Sequence, residues 1–462
     1  MSFASIGFLL FCVPLLLVYW KLSSKYQNYL LLIASYGFVS FANPWFAVSL
    51  ALTTLVTYVC IRFIDAGRFR LPFFLLSLFF LFGQLFVYKY LGLFGMHTLF
   101  ILIPIGLSFY TFQAASYLID VYTRKSTLEK NIIEYALFLS FFPTLTAGPI
   151  ERGHNLILQF KRTHTFEYAR VVSGLELFTF GLFKKLVIAD NLGTIVDKVF
   201  ASLELYRGLS LVIAVVFFSW QLYYDFSGYS DMARGIARLF GFELVVNFKT
   251  PYCATSVQDF WRRWHISLST WFKDYVYFPL GGNRSGFLRS LINVVIVFTL
   301  CGLWHGAALP FVLWGMMHGA LIAIERVFAK VTQKRVRIPN VLAIFLTYSV
   351  ITLSWILFRS PTLADALYIL RNSFIGVSNF IRPQYIYATF SQLFQTNVLE
   401  ISIVCGVFIL GILIEYVSNK CEQRNIVLKL PVFLRFFIYA TAIVMIILLR
   451  QATIQNFIYV QF

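Results

Sequence analysis

Apolar stretches of near-bilayer length recur along this chain, separated by short polar segments. About 20 apolar residues in a helix cross a hydrocarbon core. Runs close to that length fall at 4–20, 27–43, 45–61 and 71–89. Lys21 and Lys25 follow the first, and Arg62, Arg68 and Arg70 follow the third. An excess of basic residues marks cytoplasmic loops, which predicts an N-terminus outside and these two loops in the cytoplasm. The first run has no basic segment ahead of it and no small-residue cleavage site behind it, and reads as a retained helix rather than a signal peptide.

Further along, the pattern is less uniform. The run 96–122 carries Pro104, Gly106, Ser108, Tyr110, Gln113 and Ser116 and reaches Asp120, so one face is predicted to meet protein or water; Gln113 is either glue between helices or part of a tunnel wall. The run 131–150 leads into FFPTLTAGPIERG, where broken backbone at membrane depth must line a cavity or be packed by protein. Residues 151–168 read as an interfacial amphipathic piece whose His154 and His164 are solvated. The run 170–200 contains GLFKKLVIADNLG; Lys184 and Lys185 either bind an anionic donor or snorkel to lipid headgroups. A span at 208–226 enters a polar interruption, 223–252, with Asp225, Asp231, Arg234 and Arg238. Residues 256–284 crowd Trp261, Arg262, Arg263, Trp264, His265, Trp271, Lys273 and Asp274 together, either as an interfacial belt or as a re-entrant helix that roofs a tunnel and grips a ligand. Spans are expected again at 338–358, 398–417 and 431–449, with a less regular surface part at 360–397. The apolar, aromatic stretch 455–462 is expected to dock into something, because exposed termini are normally polar.

Composition agrees with this layout. The 462 residues are 59% hydrophobic and 13% charged, with 52 Phe and a mean hydropathy of +0.77, which together indicate an all-α polytopic membrane protein read as a single domain over 1–462. The net charge of +18 sits in short loops, as expected for contact with anionic membrane lipids; no basic stripe or base-stacking module suggests nucleic acid. Cys12, Cys60, Cys253, Cys301, Cys405 and Cys421 are scattered without CxxC or zinc spacing, so no metal site is expected.

Candidate chemistry concentrates in LCGLWHGAALPFVLWGMMHGA, 300–320. An ionisable residue at membrane depth is a functional hypothesis by default, and His305 sits there between Trp304 and Gly306, with Pro310 expected to interrupt or kink the helix just beyond. The alternative is a histidine that merely bonds a neighbouring helix. His318, thirteen residues on, is the more structural of the two; in one helix that separation is about 20 Å. There is no GxSxG, Walker loop, HExxH or GxGxxG. What remains is a histidine able to take the proton of an alcohol attacking a thioester, in a dry pocket that slows donor hydrolysis.

Five stretches resemble the membrane-bound O-acyltransferase family, in its alginate and peptidoglycan O-acetylation branch: GLSFYTFQAASYLIDVY (106–122), FLSFFPTLTAGPIERG (138–153), GLFKKLVIADNLG (181–193), residues 229–284 with FWRRWHIS, and GLWHGAALPFVLWGMMHG (302–319). The resemblance implies a ring of about 11 transmembrane helices, with re-entrant and interfacial helices, around a central tunnel. It places the principal catalytic histidine at His305 and the second polar position at His265. Acetyl-CoA is the implied donor, with no permanently bound cofactor. The implied partner is an extracytoplasmic O-acetyltransferase, and the implied location the bacterial inner membrane. The tail is similar to an aromatic C-terminal motif of related acylation systems, which implies Tyr459 as acyl carrier and 455–462 docked toward the tunnel; an interfacial anchor is the plainer role for Tyr459. Gln113, Lys184, Lys185, Trp304, Arg262 and Arg263 are the expected substrate- and donor-binding residues. The other function class left open is a non-enzymatic small-anion transporter or channel gated by His305.

Overall fold

The computed structural model describes residues 2–91, 103–146, 148–333, 338–395, 397–420, 431–451 and 457–458, and among these it contains helices and connecting turns but no strand. Among the described residues eight helices are long and apolar enough to cross a membrane: Pro44–Asp65, Arg70–Tyr90, Leu209–Leu239, Phe287–His305, Leu309–Val331, Asn340–Arg359, the Val398–Val417 part of a helix continuing to Lys420, and Val432–Leu449. The expected number of about eleven is not established among the described residues. The first run forms a helix of only 14 residues, Ile6–Tyr19. The run 131–150 breaks into Ile132–Ser140 and Phe142–Leu145, because Pro143 can begin a helix but cannot continue one.

Local signals set several helix starts. The side chains of Ser5, Asn43, Asn131 and Ser256 accept the N–H of a residue two or three positions on, satisfying donors a helix start leaves open. Thr362 and Asp365 form a reciprocal capping box that opens Leu363–Asn372. That helix and Pro383–Phe394 give regular structure to 360–397, where little was expected.

The chain forms two compact units, Met1–Gly181 with Tyr229–Val246, and Leu182–Gly228 with Asn247–Phe462. In the first, Leu107–Tyr122 is buried almost all round, which suits a helix with polar groups on several faces. The irregular segment 148–152 is tied down by the buried Glu151, whose carboxylate accepts the N–H of Val245 at 2.7 Å and the amide of Asn155 at 2.7 Å. His164, expected to be solvated, is only partly so: its Nε2 lies 2.8 Å from the Gln159 carbonyl and its ring packs on Phe242.

In the second unit the hairpin Phe287–His305 and Leu309–Val331 dominates. Its helices meet through glycines. A Cβ on Gly302 would lie 2.3 Å from the Phe311 carbonyl oxygen, and one on Gly315 would lie 2.2 Å from that of Phe298. Small residues let membrane helices approach backbone to backbone. Gly302→Ala is therefore expected to destabilise the detergent-solubilised protein by about 1–3 kcal/mol, read as a lowered melting temperature; an unchanged melt would show that the hairpin opens there without cost.

The interruption at 223–252 is not an interruption up to Leu239. Leu209–Leu239 is one helix of 31 residues, mostly buried, so its polar side chains face protein rather than lipid. Asp231 and Arg234, a turn apart, pair at 3.2 Å.

Candidate active site

His305 is the last residue of its helix. Gly306 then turns extended (φ −173°, ψ 160°), and Pro310 occupies the first turn of the next helix instead of kinking a continuous one. The separation of about 20 Å expected from a single helix is thus wrong, because a turn at 306–308 folds His318 back. Both imidazoles contact the same indole: Trp314 is edge-on to His305 at 5.2 Å and lies 4.9 Å from His318. Phe358, 5.2 Å away, and the neighbouring Trp304, 4.7 Å away, complete the frame of His305, which is 3% exposed.

His318 is a strut. Its Nδ1 accepts the indole N–H of Trp261 at 3.1 Å, and its Nε2 lies 3.0 Å from Ser354 Oγ. Since an indole only donates, Nδ1 carries no proton and Nε2 does. Ser354 donates its own O–H to the Ile351 carbonyl, so the set is closed.

His265 joins two short helices, Val257–Arg263 and Ile266–Phe272. Its backbone is left-handed (φ 41°, ψ 55°), an uncommon conformation for a residue with a Cβ and one that clusters at functional sites. Asn247 holds the turn by accepting the N–H groups of Ile266 and Ser267. The ring is fully buried, 4.5 Å from Phe226 and 6.3 Å from Trp304. Burial pushes its pKa down, which favours the neutral imidazole.

The tail reaches the same region. Phe457 and Ile458 are buried, and the Phe457 ring lies 5.6 Å from Phe226. The backbone N–H of Ile458 donates to Asp225 Oδ2 at 2.8 Å. Tyr459 lies outside the described residues. A row of rings, Phe457, Phe226, His265, Trp304 and His305, thus runs through one unit.

The other expected binding residues are placed as follows. Lys185 does not snorkel: it is buried, 2.7 Å from both Asp190 and Asp225. Lys184 is also buried. Arg263 pairs with Asp259 at 3.0 Å, while Arg262 is exposed. Gln113, in the first unit, is 1% exposed, and among the described residues neither atom of its amide has a hydrogen-bond partner.

A cavity of about 290 Å³ was not foreseen. Trp261, Phe272, Phe298 and Cys301 supply apolar wall, and Lys273 and Arg326 supply positive charge. Arg326 stacks toward Tyr277 and donates to its hydroxyl at 3.0 Å. Asn283 and Arg326 also border a second, more open hollow reaching Lys330. Neither hollow is lined by His305 itself. The closest approach along the helix is Cys301, four residues or about 6 Å of rise before it. The sequence missed Arg326 because it lies in an ordinary basic helix end, where a cation usually serves only the dipole and headgroups.

Comparison with known proteins gives a consistent picture. The family model described as MBOAT, membrane-bound O-acyltransferase family, matches residues 124–360. Over 371 residues the chain is 39% identical to a probable alginate O-acetylase AlgI of Pseudomonas fluorescens, covering 79% of this chain and 73% of that protein. It is 38% identical over 301 residues to a peptidoglycan O-acetyltransferase of Helicobacter pylori, covering 59% and 57% respectively. Over 270 residues it is 27% identical to a teichoic acid D-alanyltransferase of Bacillus subtilis, covering 55% and 68%. None of these relatives is a transporter.

Proposed function

The chain belongs to the membrane-bound O-acyltransferase family and is a multi-pass membrane acyltransferase, and from that premise we propose the rest of its reaction. It takes acetyl from acetyl-CoA on the cytoplasmic side of the bacterial inner membrane and hands it outward through His305 and Tyr459. An extracytoplasmic O-acetyltransferase receives it and modifies an envelope polysaccharide of the alginate or peptidoglycan kind.

In the first half-reaction an imidazole nitrogen of His305 takes the phenolic proton of Tyr459 as the oxygen attacks the thioester carbon. The carbon–sulfur bond breaks, the proton passes to the departing thiolate, and a phenyl acetate ester remains. Water is kept from the ester by the walls of Trp304, Trp314 and Phe358. His265, whose protonated form burial disfavours, serves as a wall and a polar contact. The observation that carries the reading is the row of rings from Phe457 to His305, which connects the buried tail to the histidine.

On the donor side, the cavity suits a long, mostly apolar arm ending in phosphates, with Arg326 and Lys273 as counter-charges. Incubating the purified protein with labelled acetyl-CoA tests the reading: the chain itself is expected to acquire label. Arg326→Ala is expected to raise KM for acetyl-CoA about tenfold, equivalent to about 1.4 kcal/mol, with kcat changed little. An unlabelled chain would refute the carrier step, and an unchanged KM would move the donor elsewhere.

A further inference from the structure

The two carboxylates and one ammonium of Asp190, Asp225 and Lys185 lie in the protein interior. Two acids to one base is a costly set to bury unless further donors complete it. One donor is visible: the Ile458 N–H on Asp225. The cluster exists because Lys184–Ala189 is a π-turn, whose i to i+5 bonding runs from the Asp190 N–H to the Lys185 carbonyl and brings those side chains to one side. The next residue, Asn191, uses its amide nitrogen on carbonyls of the turn (Val187, 2.9 Å) and of the last helix (Leu449, 2.9 Å). Its amide oxygen accepts from Gln451 at 2.6 Å. A single turn and the helix beside it thus hold the chain at Leu449–Gln451 and again at Ile458.

We propose that this π-turn is a cradle for the C-terminal segment, with Asp225, clamped by Lys185, and Asn191 as positioning residues that fix the register of the chain where it reaches Phe226. The role deepens the carrier reading above and rests on it only for the reason register matters. Consecutive Cα atoms are 3.8 Å apart, so holding the Ile458 N–H sets where residue 459 begins. Lys185, 2.7 Å from the Asp225 carboxylate, holds it in place and is assigned to this cluster rather than to the donor. π-turns inside α-helices are frequent at functional sites, and this one has a definite occupant.

The test is carboxypeptidase digestion of the full-length protein in detergent, followed by intact mass, alongside acetyl-transfer assays. In the parent, the tail is expected to resist trimming. Asp225→Ala should let trimming run past Ile458 at least tenfold faster and lower transfer at least tenfold, while KM for acetyl-CoA stays the same. Asn191→Ala removes the grip on Leu449 and Gln451 without touching the charges, and is expected to act in the same direction should Asp225→Ala fail to fold. Asp225→Glu, which keeps the acceptor, should restore part of both protection and transfer. Parent-like protection in Asp225→Ala and Asn191→Ala, or full transfer with an unprotected tail, would overturn the cradle. Protection is read independently of Tyr459, so a fully active Tyr459→Phe would end the carrier reading and leave the cradle to be judged on the digestion and on the transfer loss in Asp225→Ala.

Discussion

Cells carrying His305→Ala are expected to lose envelope O-acetylation while the protein still inserts and accumulates. Removing a general base lowers such a reaction by about 10²–10⁴-fold, and here the histidine has no understudy. His318 has both ring nitrogens engaged, by Trp261 and Ser354. His265 is a separate ring, 6.3 Å from Trp304, and burial disfavours the protonated form that a base must become. His305→Gln keeps much of the volume between Trp314 and Phe358 and is expected to be as inactive as the alanine variant, which separates lost chemistry from lost packing. The check is acetyl content of the isolated polymer together with protein level in the membrane. Acetylation at the parent level in either variant would show that the proton leaves by another group.

The second large effect concerns a single oxygen. Tyr459→Phe retains the ring, and with it any role as an aromatic anchor at the membrane surface, but removes the atom that would hold the acetyl group. The carrier reading expects transfer to fall by more than about 10²-fold, on the scale seen when the group that forms a covalent intermediate is removed. It also expects the labelled chain described above to disappear. The neighbouring Ile458 and Phe457 are buried beside Asp225 and Phe226, so the substitution leaves the docked part of the tail intact. Normal acetylation by Tyr459→Phe would reduce that residue to an anchor.

Much of this architecture was legible in hydropathy alone. The runs 45–61, 71–89, 338–358 and 431–449 match helices Pro44–Asp65, Arg70–Tyr90, Asn340–Arg359 and Val432–Leu449 closely, because lipid-facing helices have one dominant requirement. Where a helix faces protein the requirement relaxes and the signal fades. Leu209–Leu239 carries Asp225, Asp231, Arg234 and Arg238 inside a single helix, and its polarity read as an interruption. His305 could be chosen from its polarity among apolar neighbours, but its packing could not: the turn at 306–308 that places Trp314 against both histidines depends on where a helix ends, the least predictable feature of a sequence. The cluster around Lys185 was hidden for a geometric reason. In an α-helix residues five apart point about 140° away from each other, so Lys185 and Asp190 read as strangers until the π-turn aligned them.

One measurement bears on the centre of all this: single-turnover transfer of isotopically labelled acetyl from acetyl-CoA to the purified chain, with the acceptor peptide identified by mass spectrometry and acetyl-CoA binding measured on the same samples. The parent should gain one base-labile acetyl group on the peptide containing Tyr459, and His305→Ala should gain none while binding acetyl-CoA with the parent's Kd. Acetylation of that peptide in His305→Ala at the parent's rate would contradict the assignment of the proton transfer to this imidazole.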